Sequence, residues 1–134
     1  MDYRLQDKVV AITGGTTGIG RAVAEGFLRE GAKVAVCSHN YHKVENVKYY
    51  FGSLGFSVLT CLTDVTNNLE LKTFSDAVVA HYGCINIWIN HAGINIRGGF
   101  EQLSEDDWHR VMNCNVKAVF YGTAYAAEHM RKTG

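Results

Sequence analysis

The sequence contains no proline, carries no net charge and has no long apolar run. Its 13 basic and 13 acidic residues form no charged block, so the usual signature of a nucleic-acid or anionic-membrane binding protein is missing. No apolar stretch approaches the roughly 18 residues of a membrane span. The charged start Met1–Arg4 does not resemble a secretory signal. Without proline, glycine and asparagine take the turn positions.

Cysteine is scarce, and no two cysteines form a C-x-x-C pair. Each of the four lies in an apolar segment, which favours buried, reduced thiols over a disulfide framework: Cys37, Cys61, Cys84 and Cys114. Reduced thiols predict a cytoplasmic protein. His39 and His42 lack a third ligand at helical spacing, so no metal site is predicted.

The 134 residues fit a single domain, 1–134, with no linker or repeat. Short apolar runs, predicted as strands over 8–13, 33–37, 57–62 and 85–90, alternate with stretches of helical spacing. Asn67 with Glu70, and Ser104 with Asp107, are predicted capping pairs. This order predicts an α/β fold with right-handed crossovers and a parallel sheet, half of a Rossmann-type doubly wound fold ordered 3-2-1-4.

A glycine turn separates the first strand from the first helix. Gly14, Gly18 and Gly20 give the spacing G-x-x-x-G-x-G, which differs from the common dinucleotide fingerprint G-x-G-x-x-G. Glycine lets a ligand approach the backbone closely, and the N–H groups at a helix start favour an anion. The turn therefore predicts a phosphate cradle, the alternative being simply a tight strand-to-helix turn.

Small and polar residues follow the other three strands where each strand ends. Ser38, His39 and Asn40 follow the second strand, Asp64-Val65 the third, and Asn90–Gly93 the fourth. Because ligands of such folds bind at the carboxyl ends of the strands, we expect these residues to meet at one crevice.

On these motifs the sequence resembles the N-terminal half of a short-chain dehydrogenase/reductase. Thr13–Gly20 matches the family's cofactor motif T-G-x-x-x-G-x-G, and Asp64 matches the aspartate that contacts the adenine ring. Asn90–Gly93 reads N-H-A-G, which is similar to the family's N-N-A-G with a histidine at the second position. Trp108–Val116 resembles the helix segment that bears the active-site asparagine, here Asn115, beside a helix distortion.

The predicted cofactor-binding residues combine these motifs with the strand ends: Gly14, Thr16, Thr17, Gly18, Ile19, Gly20, Ser38, His39, Asn40, Asp64, Val65, Asn90, Ala92 and Gly93. By the resemblance, Asn115 is the one catalytic position present. Two alternatives stay open. Asp64 is also suited to a turn or helix cap, and Asn90 is equally suited to tying strand ends together.

The family's catalytic serine and its Y-x-x-x-K pair have no match. None of the seven tyrosines is followed by lysine four residues later, and the sequence ends before a fifth strand. In the family this tyrosine is the general acid/base for hydride transfer between a nicotinamide cofactor and an alcohol or ketone. We expect the chain to bind cofactor without catalysing, and to pair through its exposed fourth strand or last helix as a homo-oligomer, or with a C-terminal half.

Cofactor choice depends on the end of the second strand. Ser38 and His39 stand where an acidic residue would bind the ribose hydroxyls of NAD. With Asn40 and a partly protonated His39 they suit the extra phosphate of NADP, so NADP(H) is favoured over NAD(H). The alternatives to an oxidoreductase function are a non-catalytic nucleotide-binding or scaffold module and another Rossmann-type protein such as a methyltransferase. Asp64 and the N-H-A-G segment disfavour the methyltransferase.

Overall fold

Strands and helices alternate along the chain, as the apolar periodicity predicts. A computed structural model describes residues 1–133. The strands are β1 (Val9–Thr13), β2 (Lys33–Ser38), β3 (Leu59–Leu62) and β4 (Ile87–Asn90). The helices between them are α1 (Gly18–Arg29), α2 (Tyr41–Ser53) and α3 (Asn68–Tyr82). After β4 come α4 (Glu105–Met112), the π segment (Asn113–Lys117) and α5 (Ala118–Thr133).

The four strands form one parallel sheet in the order β3-β2-β1-β4, which confirms the predicted topology. Thr13 pairs in register with Cys37 of β2 and with Asn90 of β4, so the carboxyl ends are level. β4 begins at Ile87, later than predicted, and Asn86 before it bonds to Val9 through both its backbone and its side chain. The Asn86 backbone N–H donates to the Val9 carbonyl at 3.0 Å. The Asn86 Oδ1 accepts the Val9 N–H at 2.8 Å, where a strand carbonyl would otherwise stand.

The two central strands, β1 and β2, are buried on both faces by helices. Val10 and Ile12 of β1 point to one face, where Leu28 and Phe51 of α1 and α2 cover them. The opposite face of the sheet packs against α3, the π segment and α5, through Val9, Ala11, Leu71, Phe74, Val78, Cys114 and Ala118. Burial of both faces explains why β1 and β2 read as continuous apolar runs instead of alternating ones, whereas β3 and β4 are only half-buried.

All four cysteines are unpaired, but their burial differs. Cys37 and Cys114 are buried, as predicted, and burial raises the pKa of the Cys37 thiol to about 12. Cys61 and Cys84 are only half-buried. Cys61 lies on the edge strand β3, which has one neighbour in the sheet, and Cys84 precedes β4.

Both predicted capping pairs lie at helix starts, but only one of them forms a reciprocal capping box. Ser104 Oγ accepts the Asp107 N–H at 3.1 Å and the Ser104 N–H donates to Asp107 Oδ2 at 3.0 Å, a complete capping box. Asn67 Oδ1 accepts the Glu70 N–H at 3.1 Å. The Glu70 carboxylate does not return to Asn67, because it accepts the Asp64 N–H at 3.2 Å instead.

Candidate functional site

The carboxyl ends of the strands border one cavity of about 520 Å³. Nine predicted cofactor-binding residues line it: Gly14, Thr16, Thr17, Ser38, His39, Asp64, Val65, Ala92 and Gly93. The other lining residues are Cys37, Lys43, Thr63, Thr66, His91, Ile94, Arg110, Asn113 and Cys114. Residues predicted from three separate strand ends and from the glycine turn therefore share one site.

Hydrogen bonds from the end of β1 and from the glycine turn hold the walls of this cavity in place. The buried Thr13 Oγ1 accepts the N–H groups of both His91 and Ala92 at 3.1 Å, which ties the end of β1 to the segment after β4. The Gly14 N–H donates to the Cys37 carbonyl at 3.0 Å, which ties the glycine turn to β2. The turn is thereby fixed on both sides.

The glycines of the turn meet different requirements. Gly14 has a φ of +70°, and a Cβ there would lie 2.8 Å from the Cα of Ala92. A Cβ on Gly20 would lie 2.6 Å from Cδ2 of His91. Gly18 has a φ of +56°, but a Cβ there would meet no protein atom within 4 Å. Gly14 and Gly20 thus permit close packing, whereas Gly18 leaves open space at the start of α1.

The first turn of α1 has no side-chain cap among the described residues. Thr17 precedes the helix without a cap hydrogen bond, and no acidic residue lies in the first turn. In contrast, the side chains of Asn40, Asn67 and Ser104 each cap the helix that follows. Uncapped N–H groups and the helix dipole together suit an anion, so the start of α1 fits a phosphate group.

Asp64 presents an oriented carboxylate at the mouth of the cavity. Its Oδ1 accepts the Thr66 N–H at 3.0 Å and the Thr66 hydroxyl at 2.6 Å. Its own N–H is held by Glu70, as described above. Such a carboxylate can accept a hydrogen bond from a ligand N–H, while the neighbouring Val65, 8% exposed, supplies an apolar surface.

Two cations line the cavity that sequence reasoning missed, Lys43 of α2 and Arg110 of α4. Against them stands the single carboxylate of Asp64, so the cavity lining is cationic overall. Lys43 lies five residues beyond the end of β2, but Asn40 Oδ1 accepts its N–H at 3.1 Å and keeps it near that strand end. The helix-capping asparagine was the signal that could have located it.

Six predicted site residues do not line the cavity: Gly18, Ile19, Gly20, Asn40, Asn90 and Asn115. The first three form the start of α1 beside it, and Asn40 caps α2. Asn90 links β4 to α5, since its Oδ1 accepts the Trp88 indole N–H at 2.9 Å and its Nδ2 donates to Thr123 Oγ1 at 3.0 Å. These contacts support the structural alternative for Asn90.

Asn115 binds the segment that follows β4. Its Oδ1 accepts the Ile94 N–H at 2.8 Å, and its Nδ2 donates to the Ile94 carbonyl at 2.7 Å. The two bonds make the side-chain amide act as a short strand partner of Ile94. Asn115 lies in the π segment, which is the helix distortion that the resemblance implies.

The model of the short chain dehydrogenase family matches residues 8–134. The chain belongs to this family. Gluconate 5-dehydrogenase of Gluconobacter oxydans is 34% identical over 132 residues, which are 98% of this chain and 52% of that protein. The chain thus spans about half the length of the curated relatives it matches.

Two solved structures of similar fold contain a nicotinamide dinucleotide. A short chain dehydrogenase from Burkholderia cenocepacia, in complex with NADP, shares 31% identity at a TM-score of 0.88, over 94% of this chain and 52% of that one. A family member from Burkholderia phymatum, in complex with NAD, shares 28% identity at a TM-score of 0.90, over 95% and 45%. The family predicted from the glycine spacing, Asp64 and the N-H-A-G segment is confirmed.

Between residues 1 and 133, every helix is too short or too polar to cross a lipid bilayer.

Proposed function

We propose that the chain binds a nicotinamide dinucleotide as the cofactor-binding part of an oxidoreductase. That oxidoreductase would move hydride between the cofactor and an alcohol or ketone. The observation that carries this proposal is the uncapped start of α1, where Gly18 leaves open space at the edge of a cavity lined by the Asp64 carboxylate. The free N–H groups fit the pyrophosphate, and a carboxylate acceptor fits the amino group of adenine.

The residues divide the cofactor between them. Thr16, Thr17 and the α1 turn would hold the pyrophosphate, and Asp64 with Val65 would hold the adenine. Ala92 and Gly93 line the wall formed by the segment after β4, which hydrogen bonds to Thr13 and Asn115 fix in place. When bound, the nicotinamide ring supplies the hydride chemistry, and this chain's residues bind and orient the cofactor.

We further propose that residues 1–134 bind the cofactor without completing catalysis. The support is that no tyrosine stands four residues before a lysine, so the general acid/base pair of the family has no match. A non-catalytic nucleotide-binding or scaffold module is the second candidate. Turnover of simple alcohols with NADP or NAD by the chain alone would contradict the absence of catalysis.

NADP(H) is the preferred cofactor in this proposal. Residues 39–43, directly after β2, include no acidic side chain that would repel a phosphate, and Ser38, His39 and Lys43 all line the cavity. Asn40 contributes indirectly, because its Oδ1 accepts the Lys43 N–H and keeps Lys43 near the end of β2. An ammonium near the ribose would favour a 2′-phosphate over a free hydroxyl.

Titration of the purified protein with NADPH and NADH tests cofactor binding, with the fluorescence of the reduced nicotinamide as the readout. We expect saturable binding of both, tighter for NADPH. Asp64→Asn should weaken both, because an amide nitrogen in place of a carboxylate oxygen repels the adenine amino group. Failure of the folded protein to bind either dinucleotide would contradict the proposed function.

We also propose that a second copy of the chain covers an apolar surface formed by α4, the π segment and α5. Trp108, Val116 and Phe120, one from each of these elements, are 63%, 52% and 66% exposed. Light scattering at micromolar concentration should show a dimer or larger species, and a monodisperse monomer would contradict this.

A cytoplasmic location stays a prediction, which cell fractionation can test.

A further inference from the structure

The π segment is joined to the cavity in three ways. Two of its residues, Asn113 and Cys114, line the cavity. Asn115 holds Ile94, on the wall that follows β4. Lys117 reaches the other wall, where its Nζ donates to the Thr66 carbonyl at 3.3 Å. One five-residue segment therefore binds the loops that follow both β3 and β4.

Lys117 is the first member of a chain of hydrogen bonds that ends at Asp64. Its ammonium binds the carbonyl of Thr66. The N–H and hydroxyl of Thr66 in turn bind Oδ1 of Asp64 at 3.0 and 2.6 Å. The orientation of the Asp64 carboxylate thus depends on where Thr66 is held, and Lys117 holds Thr66 from outside the loop.

The ion pairs of the described residues leave Lys117 out. Five of the six pairs join neighbours one helical turn apart, and the sixth joins α3 to α5. The Lys117 side chain is instead half-buried between the π segment and the loop after β3. A half-buried ammonium needs a polar partner, and the Thr66 carbonyl is the one it contacts.

We propose that Lys117 is a positioning residue for recognition of the adenine amino group, acting through Thr66 on Asp64. This inference rests on the proposed function, in which Asp64 accepts a hydrogen bond from that amino group. Lys117 itself is not among the residues that line the cavity. Its loss frees Thr66, and Asp64 then no longer points a fixed acceptor at the base.

The adenine amino group separates this role from a general structural one. Loss of a structural tie loosens the site and weakens every dinucleotide equally. Loss of a tie that aims Asp64 weakens only ligands that carry the amino group. The probe is therefore NADPH compared with its hypoxanthine analogue, in which a carbonyl oxygen replaces that amino group.

The experiment measures the dissociation constants of both dinucleotides for wild type, Lys117→Met, Lys117→Arg and the remote control Lys72→Met. Wild type and the Lys72 variant should prefer NADPH over the analogue by about tenfold, the value of one good hydrogen bond to a charged group. Lys117→Met should lose most of that preference, and Lys117→Arg should retain it because arginine also donates to a carbonyl. Circular dichroism establishes that each variant is folded.

Coupling to Asp64 provides a second measurement. In the Asp64→Asn background, Lys117→Met should cause no further loss of preference, since the acceptor is already gone. An unchanged preference in the single Lys117→Met variant, or an equal loss of affinity for both dinucleotides, would overturn the inference and leave the proposed function intact. Absence of binding by folded wild type would instead overturn the proposed function and this inference with it.

Discussion

Nε2 of His129 lies 2.8 Å from Oδ1 of Asp76, and this contact joins α5 to α3 beside the sheet. The other carboxylate oxygen of Asp76 accepts Lys72 Nζ at 2.9 Å. Partial burial acts to raise the pKa of Asp76, but the hydrogen bonds from Lys72 and His129 together outweigh it and lower that pKa. The carboxylate is therefore preferred in the folded state.

Replacing Asp76 should make stability depend less on pH in the acid range. A carboxyl whose pKa is lowered by folding stabilises the protein above its unfolded pKa of about 3.9, and this contribution disappears as pH falls through the folded value. Because Asp76 is nearly half exposed, we expect Asp76→Asn to cost only about 0.5–1 kcal/mol at pH 6. Urea denaturation at pH 6, 4 and 3 measures the difference.

The difference between wild type and Asp76→Asn should be nearly constant from pH 6 to about pH 5 and then shrink as pH falls below about 3.9 towards pH 3. Glu128→Gln serves as the control, because its pair with Lys132 is long at 3.8 Å and exposed. A difference that is as large at pH 3 as at pH 6 would show that the ion pair is not its source.

Gly18 and Gly55 offer a matched pair of substitutions. Both have positive φ, +56° and +84°, and a Cβ on either meets no protein atom within 4 Å. Alanine at either position should cost about 1–2 kcal/mol of folding free energy, because side-chain-bearing residues avoid this conformation. Only Gly18→Ala should weaken NADPH binding, by at least about tenfold, since its methyl group occupies the space beside the α1 N–H groups. Equal NADPH affinities for the two variants would contradict a phosphate site at this turn.

Lys43 should determine the preference between the two dinucleotides. Lys43→Gln removes the charge from the cavity wall and should weaken NADPH binding about tenfold, the scale of a charge-assisted hydrogen bond. NADH affinity should stay within about twofold, because NADH lacks the 2′-phosphate. Lys48→Gln, on the same helix but outside the cavity, is the control. An equal loss for both dinucleotides would place Lys43 near the pyrophosphate instead.

Thr13 should contribute to stability through its hydroxyl. Thr13→Val keeps the shape of the buried side chain but removes the acceptor of the His91 and Ala92 N–H groups. The expected cost is about 1–3 kcal/mol, the penalty for leaving polar groups without partners. Thr13→Ser retains the hydroxyl and should recover most of that loss in urea denaturation. A Thr13→Val variant as stable as wild type would mean that water replaces the hydroxyl.

The sequence predicts the centre of the sheet well because β1 and β2 lie between two helical layers. Val9 to Ile12 are all buried, so their continuous apolar run indicates both a strand and its place in the interior of the sheet. The carboxyl ends of parallel strands lie at the same edge of the sheet, and ligands bind there. For this reason Asp64 and Gly93 could be placed in one crevice.

The parts that escaped prediction depend on how helices pack. Lys43 and Arg110 lie on helices, and which side chains of a helix reach a cavity follows from its rotation against the sheet. The contact between Lys117 and Thr66 joins residues 51 positions apart, and no local pattern indicates it. The side-chain oxygen of Asn86 accepts a bond that a strand carbonyl would otherwise accept, and apolar periodicity does not predict such a contact.

The π segment also restricts the length of the chain at this point. A π turn holds one residue more than an α turn, so deleting one residue within 113–117 would give a more regular helix. The same deletion would leave α5 close to its present rotation relative to α4, because an α turn is completed with one residue fewer than a π turn. Ala118, Gly122 and Ala126, the buried face of α5, would stay on the sheet, whereas Asn115 and Lys117 would lose one or both loops. A single-residue deletion in this segment should therefore disturb the walls of the cavity more than the packing of α5.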